Sequence, residues 1–223
     1  MAQGWQHGGV VRRLSAPDPA ALAGEARGRM LGLTGSPGVG KSTWAAALVE
    51  AWGGSSGGSS GGSGSAVLVP MDGFHLADVE LRRRGLLERK GAPETFDAEG
   101  YAALLGRVRR REPLVMAPAF ERDLEQPLAG ALAVPGTADQ VVTEGNYLLL
   151  DEPRWRAVRE QLDTVWHLHV DDDLRRERLV ARHVEFGKTP DQARAWVARV
   201  DDANAALVEA AAERADLVVD LTP

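Results

Sequence analysis

The chain contains one run of residues whose types and spacing could hold a polyphosphate: Gly35-Ser36-Pro37-Gly38-Val39-Gly40-Lys41-Ser42-Thr43. It fits the pattern G-x-x-x-x-G-K-[ST], in which backbone N–H groups and the lysine bind phosphates and the hydroxyl holds Mg²⁺. Glycine lets the backbone approach an anion closely, because no Cβ intervenes. We expect Lys41 to reach the outer phosphates and Ser42 to hold the metal. The run therefore predicts a site for a nucleoside triphosphate with Mg²⁺.

The segments on either side of this run are those that such a loop requires. Residues 30–34 are predicted to form a short buried strand, and residues 44–50 are predicted to be helical. The turn between them would aim successive N–H groups, and the positive end of the helix dipole, at the anion. A chance glycine-rich turn explains this order of strand, loop and helix poorly.

Two carboxylates follow predicted strands: Asp72 comes after residues 66–71 and Glu144 after residues 140–143. Ligands of open α/β sheets bind at the carboxyl ends of the strands, so both should face the γ-phosphate. One carboxylate could accept the proton of an attacking hydroxyl while the other helps to hold Mg²⁺. Each could also be an ordinary turn residue, and the sequence does not decide which of the two would act as the base.

Apolar strands alternate with helices along the chain, which is typical of a mostly parallel, doubly wound α/β sheet. We predict five strands, at residues 30–34, 66–71, 140–143, 164–170 and 217–220. Helices are predicted at residues 17–26, 44–50, 76–90, 101–111, 174–189 and 191–214, with an irregular segment at residues 117–127. The 223 residues suit a single domain, interrupted at residues 53–65 by a Gly/Ser stretch of flexible-linker composition.

The composition excludes several classes of protein. A formal charge of −6 and an isoelectric point near 5.4 do not support a nucleic-acid footprint or a polybasic membrane anchor. The chain has no cysteine, so disulfides, thiolate metal sites and thiol catalysis are absent. It also lacks a long apolar run and the pattern of a signal peptide. We therefore expect a soluble, cytoplasmic protein.

Three motifs beyond the phosphate loop carry a family resemblance: Asp72-Gly73-Phe74-His75, Arg89-Lys90-Gly91-Ala92-Pro93-Glu94-Thr95-Phe96-Asp97 and Glu144-Gly145-Asn146-Tyr147. In this order they resemble the motifs of the P-loop small-molecule kinases that include uridine kinase, phosphoribulokinase and bacterial-type pantothenate kinase. The likeness covers residues 30–220 outside the Gly/Ser stretch, and it is greatest to the members of that group called nucleoside/nucleotide kinases.

The resemblance implies a three-layer P-loop NTPase fold with a helical lid, and ATP and Mg²⁺ as cofactors. It implies transfer of the γ-phosphoryl group to a hydroxyl of a small metabolite, for which a nucleoside, a pantothenate-like acid and a sugar all stay open. The sequence does not choose between ATP and GTP. A homodimer is common among such enzymes, but nothing in the sequence dictates one.

Site roles follow from the same resemblance. Asp72 matches the catalytic base or acceptor ligand, and Glu144 matches the strand-end residue that serves Mg²⁺ and the γ-phosphate. The acceptor pocket would be lined by Asp72, Phe74, His75, Arg89, Lys90, Phe96, Asp97, Phe120, Arg122 and Tyr147. Phe120 replaces the tyrosine found in uridine kinases, and no histidine follows it shortly after. This departure argues against a pyrimidine nucleoside.

The predicted helix after residue 173 carries Arg175, Arg178 and Arg182 at spacings i, i+3 and i+7, so the three share one face. In a lid over residues 174–190, Arg175 would bind the nucleotide while Arg178 and Arg182 would stabilise the transferring phosphoryl group. The plainer alternative is a solvated basic face paired with neighbouring carboxylates.

Two other functions fit the phosphate loop: a kinase that acts on nucleoside monophosphates, and a regulatory or chaperone-like NTPase with a protein partner. Separately, His167 and His169 alternate along one strand face. With no third ligand in view, we interpret them as packed or surface residues rather than as a metal site.

Overall fold

The computed structural model describes residues 11–15, 18–53 and 66–222. The Gly/Ser stretch lies outside the described residues except for Gly53, and so does the first residue of the helix predicted at 17–26. The elements are β1 (Arg13–Ser15), α1 (Pro19–Leu22), β2 (Met30–Thr34), α2 (Lys41–Ala51), β3 (Ala66–Pro70), α3 (Asp78–Arg84), α4 (Ala98–Arg109), β4 (Leu114–Glu121), β5 (Gln126–Pro135), β6 (Gln140–Glu144), α5 (Pro153–Arg159), β7 (Thr164–His169), α6 (Asp172–Glu185), α7 (Pro190–Trp196), α8 (Asp202–Glu209) and β8 (Leu217–Asp220).

Within the described residues, six parallel strands form the main sheet, in the order β1-β8-β7-β2-β6-β3. The prediction of a five-stranded main sheet missed one strand, because β1 has three residues and little apolar character and pairs only with β8 at the edge of the sheet. One buried cluster includes Tyr101 and Trp155, on α4 and α5. A second, separate cluster includes Trp44 and Leu48 of α2. The predicted three-layer α/β fold is confirmed.

The prediction of an irregular segment at residues 117–127 was also wrong. It lies in an antiparallel hairpin of β4 and β5 whose register shifts between Ala117 and Ala119. Pro118 sits at this irregularity, where a strand tolerates a residue that has no N–H to donate. The proline hides the alternation of buried and exposed side chains that β4 shows before it.

The single helix predicted at residues 191–214 is divided. A π-helical turn at Val197–Asp201 separates α7 from α8. Such turns insert one extra residue and re-aim the side chains around them. Within the part of the chain that the structure describes, every helix is too short or too polar to cross a membrane.

Candidate active site

The phosphate loop joins β2 to α2 and takes the conformation that its glycines permit. Gly38 and Gly40 have φ angles of +86° and +100°, a region that other residues rarely adopt. A Cβ on Gly38 would lie 2.7 Å from Leu179 Cγ and 2.9 Å from the carbonyl oxygen of Arg175. The loop is therefore packed directly against the first half of α6.

Lys41 is folded back along this loop. Its Nζ donates to the carbonyl oxygens of Gly35 (2.9 Å) and Ser36 (3.2 Å). Burial lowers the pKa of the ammonium to about 8, although the carboxylates of Glu144 and Asp72 act in the opposite direction. The positive charge is thus held at the loop, where phosphates would bind.

Glu144 lies at the end of β6 and accepts a hydrogen bond of 3.0 Å from Ser42 Oγ. Burial and then the nearby Asp72 carboxylate raise the pKa of Glu144 to about 7, against the opposing effect of Lys41. A hydroxyl and a buried carboxylate are oxygen donors of the kind that Mg²⁺ prefers. The residues present therefore fit a magnesium site.

Asp72 lies on the helical turn Met71–Phe74 that follows β3, and β3 pairs with β6 so that Pro70 stands opposite Glu144. Two glycines allow these strand ends to pack closely. A Cβ on Gly145 would lie 2.5 Å from Met71 Sδ, and one on Gly73 would collide with the carbonyl of Pro118. Backbone packing thus places both carboxylates at one edge of the sheet.

One cavity of about 530 Å³ opens over this edge. Of the predicted site residues, it is lined by Pro37, Gly38, Lys41, Ser42, Asp72, His75, Lys90, Phe96, Phe120, Arg122, Glu144 and Arg182. The phosphate loop, both carboxylates and part of the predicted acceptor pocket therefore meet in a single space. The remaining loop residues Gly35, Ser36, Val39, Gly40 and Thr43 form the loop without lining the cavity.

An aromatic wall closes one side of the cavity. The His75 ring lies 4.0 Å from the Phe96 ring and 4.9 Å from the Phe120 ring, centre to centre. His75 Nδ1 donates to the carbonyl oxygen of Asp72 at 2.8 Å, and burial lowers the pKa of the imidazole. His75 is therefore a fixed wall residue that also braces the turn carrying Asp72.

Several residues predicted for the acceptor pocket lie elsewhere. Phe74 is buried against Tyr101, with ring centres 4.6 Å apart, and Arg89 pairs with Glu94 at 2.7 Å. Asp97 caps α4 by accepting from the Gly100 N–H at 2.9 Å. The Tyr147 hydroxyl donates to the carbonyl of Gly91 and its ring is buried. All four support the pocket from outside it, because local hydrogen bonds and packing use their side chains.

The three arginines of α6 were predicted to share one face, but the packing of that helix places them in three different environments. Arg175 is buried and pairs with Asp172 (2.9 Å) and Asp202 (2.6 Å), so it does not reach the cavity. Arg178 is exposed and does not line the cavity, whereas Arg182 does. Only the last of the three stands where a phosphoryl group could bind.

The predicted lid at residues 174–190 includes His183 and Lys188, but the sequence did not identify the part of the cavity built by residues 196–204. The cavity lining includes Trp196, Asp201 and Asn204 there, together with His183 of α6 and Lys188. His183 Nε2 lies 2.9 Å from Asp201 Oδ2, and Asn204 Nδ2 donates to the carbonyl of Gly91 at 3.5 Å. Only Lys188 carries a sequence signal, as a cation next to Gly187 after a helix. Trp196, Asp201 and Asn204 lie in and on either side of the π-helical turn, which no local sequence pattern predicts.

Comparison with known proteins bears on this geometry. No protein-family model matches the chain. A candidate uridine kinase of Schizosaccharomyces pombe is 32% identical over 197 residues, which cover 85% of this chain and 82% of that protein. A pantothenate kinase of Limosilactobacillus reuteri is 33% identical over 65% of this chain but only 45% of its own length.

Among solved structures, that of a candidate fructose transport system kinase from Silicibacter sp. TM1040 has a TM-score of 0.78 and 39% sequence identity. The match covers 90% of this chain and 98% of that one. Together with the phosphate loop, the two strand-end carboxylates and the six-stranded parallel sheet, these similarities show that the chain belongs to the P-loop kinases of the uridine kinase and pantothenate kinase group.

Proposed function

We propose that this kinase transfers the γ-phosphoryl group of ATP to a hydroxyl of a small metabolite. The observation that carries the proposal is the meeting of Asp72 with Lys41, Ser42 and Glu144 in one cavity that also has an aromatic wall. A nucleotide site alone needs the loop, Mg²⁺ ligands and a cation. The additional carboxylate and the wall beyond it suit a second substrate that gives up a proton.

The phosphate loop would cradle the polyphosphate, with Lys41 leaving its carbonyl partners to meet the outer phosphates. Ser42 and Glu144 would hold Mg²⁺, which neutralises charge on the phosphates when bound. Asp72 would take the proton from the hydroxyl of the acceptor. At the same time the hydroxyl oxygen would bond to the γ-phosphorus, and the bond between the γ-phosphorus and the β–γ bridging oxygen would break. ADP and a phosphate ester are the products.

We infer that the closing part of the site is the second half of α6 and the turn after it. The first half is held by the phosphate loop at Gly38 and by the ion pairs that the buried Arg175 forms with Asp172 and Asp202. Arg182 and Lys188 lie beyond that anchor and line the cavity. Their approach would stabilise the transferring group and exclude water as an acceptor.

Three cations of the cavity suit an acceptor that bears a carboxylate or a phosphate. Among the described residues, Arg122, Arg182 and Lys188 form no salt bridge, whereas Lys90 is paired with Asp78 at 2.8 Å. Unpaired cations in a cavity favour anionic ligands. The same observation favours a nucleoside monophosphate kinase as the second candidate, in which a phosphate rather than a hydroxyl accepts the group.

The test is ADP release with Mg²⁺ and ATP across nucleosides, nucleoside monophosphates, pantothenate, sugars and sugar phosphates, with mass spectrometry of each mixture. A phosphoryl group gained on a hydroxyl, and lost with Asp72→Asn, would support the proposal. A new phosphoanhydride on a monophosphate would replace it with the second candidate. Silence across the panel, with ATP still bound and its slow hydrolysis stimulated by a protein, would favour an NTPase.

A further inference from the structure

Two histidines and a carboxylate meet beside the phosphate loop, outside the cavity. His167 and His169 share one face of β7, and Glu209, the last residue of α8, lies against them. The three ligand atoms all lie within 4.8 Å of one another. The fold thus supplies, from 40 residues further along the chain, the third ligand that the strand pattern lacked.

The distances suit a tetrahedral ion. His167 Nε2 lies 3.2 Å, and His169 Nδ1 lies 3.6 Å, from Glu209 Oε2. Bonds of about 2.0–2.2 Å to zinc place neighbouring ligand atoms about 3.3–3.6 Å apart. Two edges of the tetrahedron are therefore already in place. The third edge, between the two imidazole nitrogens, is at most 4.8 Å long.

Glu209 divides its two oxygens between two tasks. Oε1 accepts a hydrogen bond of 2.6 Å from Ser36 Oγ in the phosphate loop, whereas Oε2 faces both imidazoles. A metal could bind at Oε2 without breaking the bond to the loop.

The donor set also indicates which ions would bind. Imidazole favours zinc and its neighbours among the transition metals, whereas Mg²⁺ and Ca²⁺ take oxygen ligands. The His169 and Glu209 side chains are 41% and 39% exposed, which leaves an entry path and room for water as a fourth ligand, while His167 is buried. The Mg²⁺ that serves phosphoryl transfer would not compete effectively for this site.

We propose that His167, His169 and Glu209 form a second metal site, for Zn²⁺ or a similar ion, that is linked to the phosphate loop through Ser36. The inference does not depend on which acceptor the kinase uses. Linkage requires that the metal change nucleotide affinity and that the nucleotide change metal affinity by the same factor.

The first measurement is titration of the chelator-treated full chain, free of any affinity tag, with Co²⁺ and then Zn²⁺. We expect visible absorption bands of tetrahedral Co²⁺ that saturate at one ion per chain and disappear when Zn²⁺ is added. His169→Ala and Glu209→Gln should each weaken Co²⁺ binding by at least about tenfold, since even an outer partner of a metal ligand is worth that much. The matched control is Glu213→Gln, an exposed position four residues further on.

The second measurement is ADP affinity with and without saturating Zn²⁺. We expect it to differ in the wild-type chain and to become independent of Zn²⁺ in Ser36→Ala, which keeps all three ligands. Equal affinities in the wild type would overturn the link to the loop. Absence of Co²⁺ bands and of Zn²⁺ binding in the wild type, or unchanged binding in both ligand variants with unaltered melting curves, would overturn the site itself.

Discussion

The Ser42 hydroxyl, in the first turn of α2, donates a hydrogen bond of 3.0 Å to Glu144 at the end of β6, although 102 positions separate them. The contact exists because β2 and β6 are neighbours in register, with Leu33 opposite Glu144. It joins the phosphate loop to the second strand-end motif. Because both side chains present oxygen, the two residues that would hold Mg²⁺ under the proposed function also connect two parts of the fold.

Glu144→Gln should stabilise the nucleotide-free protein while abolishing Mg²⁺-dependent activity. The pKa of Glu144 is raised from its ordinary 4.5 to about 7, mainly by burial. The protonated carboxyl therefore contributes to the free energy of unfolding, and this contribution is lost as the pH rises through about 7. Thermal melts should show Glu144→Gln above the wild type at pH values above 7 and a shrinking difference toward pH 4.5. Glu213→Gln, at an exposed site, should show no such gain.

The pH profile of kcat/KM for ATP should be bell-shaped, because it reports groups of the free enzyme. Glu144 must lose its proton to hold Mg²⁺, so activity should rise as the pH passes about 7. Lys41 must keep its proton to bind phosphates, so activity should fall as the pH passes about 8. Steady-state kinetics at saturating acceptor measure this. A profile that stays flat through both values would contradict the assignment of the two groups.

Asp72→Asn should lower kcat by about 10²–10⁴ and leave ATP affinity unchanged, because a general base acts only in the chemical step. Asp123→Asn makes the same change at an exposed position of the hairpin turn, outside the cavity lining, and should behave as wild type. Turnover and calorimetric ATP binding separate the two effects. Wild-type turnover in Asp72→Asn would remove Asp72 from the role of base.

Arg182→Met and Arg178→Met should differ, although the two arginines lie on one helix. Arg182 lines the cavity, so its loss should lower kcat by about 10²-fold or more, the usual effect of removing a donor to a charged transition state. Arg178 is exposed and does not line the cavity, so its loss should change kcat little. Equal effects of the two substitutions in the same kinetic assay would contradict the role assigned to Arg182 from its place in the cavity lining.

Arg122→Met should raise KM for the acceptor and leave KM for ATP unchanged. Arg122 lines the cavity on the hairpin side and forms no salt bridge among the described residues, so it is available to an anionic group of the acceptor. The substitution Arg89→Met is the control, because Arg89 pairs with Glu94 away from the cavity. An acceptor KM that is the same in both variants would exclude Arg122 from acceptor binding.

The sequence predicted those parts of the fold that local chemistry specifies. The phosphate loop, the buried strands and the two strand-end carboxylates each have their own pattern. The hairpin was missed because Pro118 interrupts its alternation, and β1 because three mostly polar residues carry no pattern at all. Of these two elements, only β1 depends on a partner that is distant in sequence, because it pairs with β8.

The sequence likewise predicted those residues of the candidate site that belong to a local motif. Lys41, Asp72 and Glu144 follow from motifs, and they do line one cavity. Arg175 could not be placed from the sequence. Helical spacing predicts that three arginines share a face, but it does not predict which residues that face packs against. The Glu209 contact with His167 could not be foreseen, since nothing in α8 marks its last residue as a partner of β7.

The close contact between Gly73 and Pro118 has a consequence for how such an enzyme could change its preference. The groups proposed to react stand at the ends of strands of the parallel sheet, whereas Phe120 and Arg122 come from a separate two-stranded unit that touches the Asp72 turn backbone to backbone. Altering that unit would reshape the space for the acceptor while the phosphoryl-transfer centre stayed as it is. Under the proposed function, the hairpin would therefore supply one side of the acceptor space, beside the wall formed by His75 and Phe96, and this side could vary while Lys41, Asp72 and Glu144 kept their places.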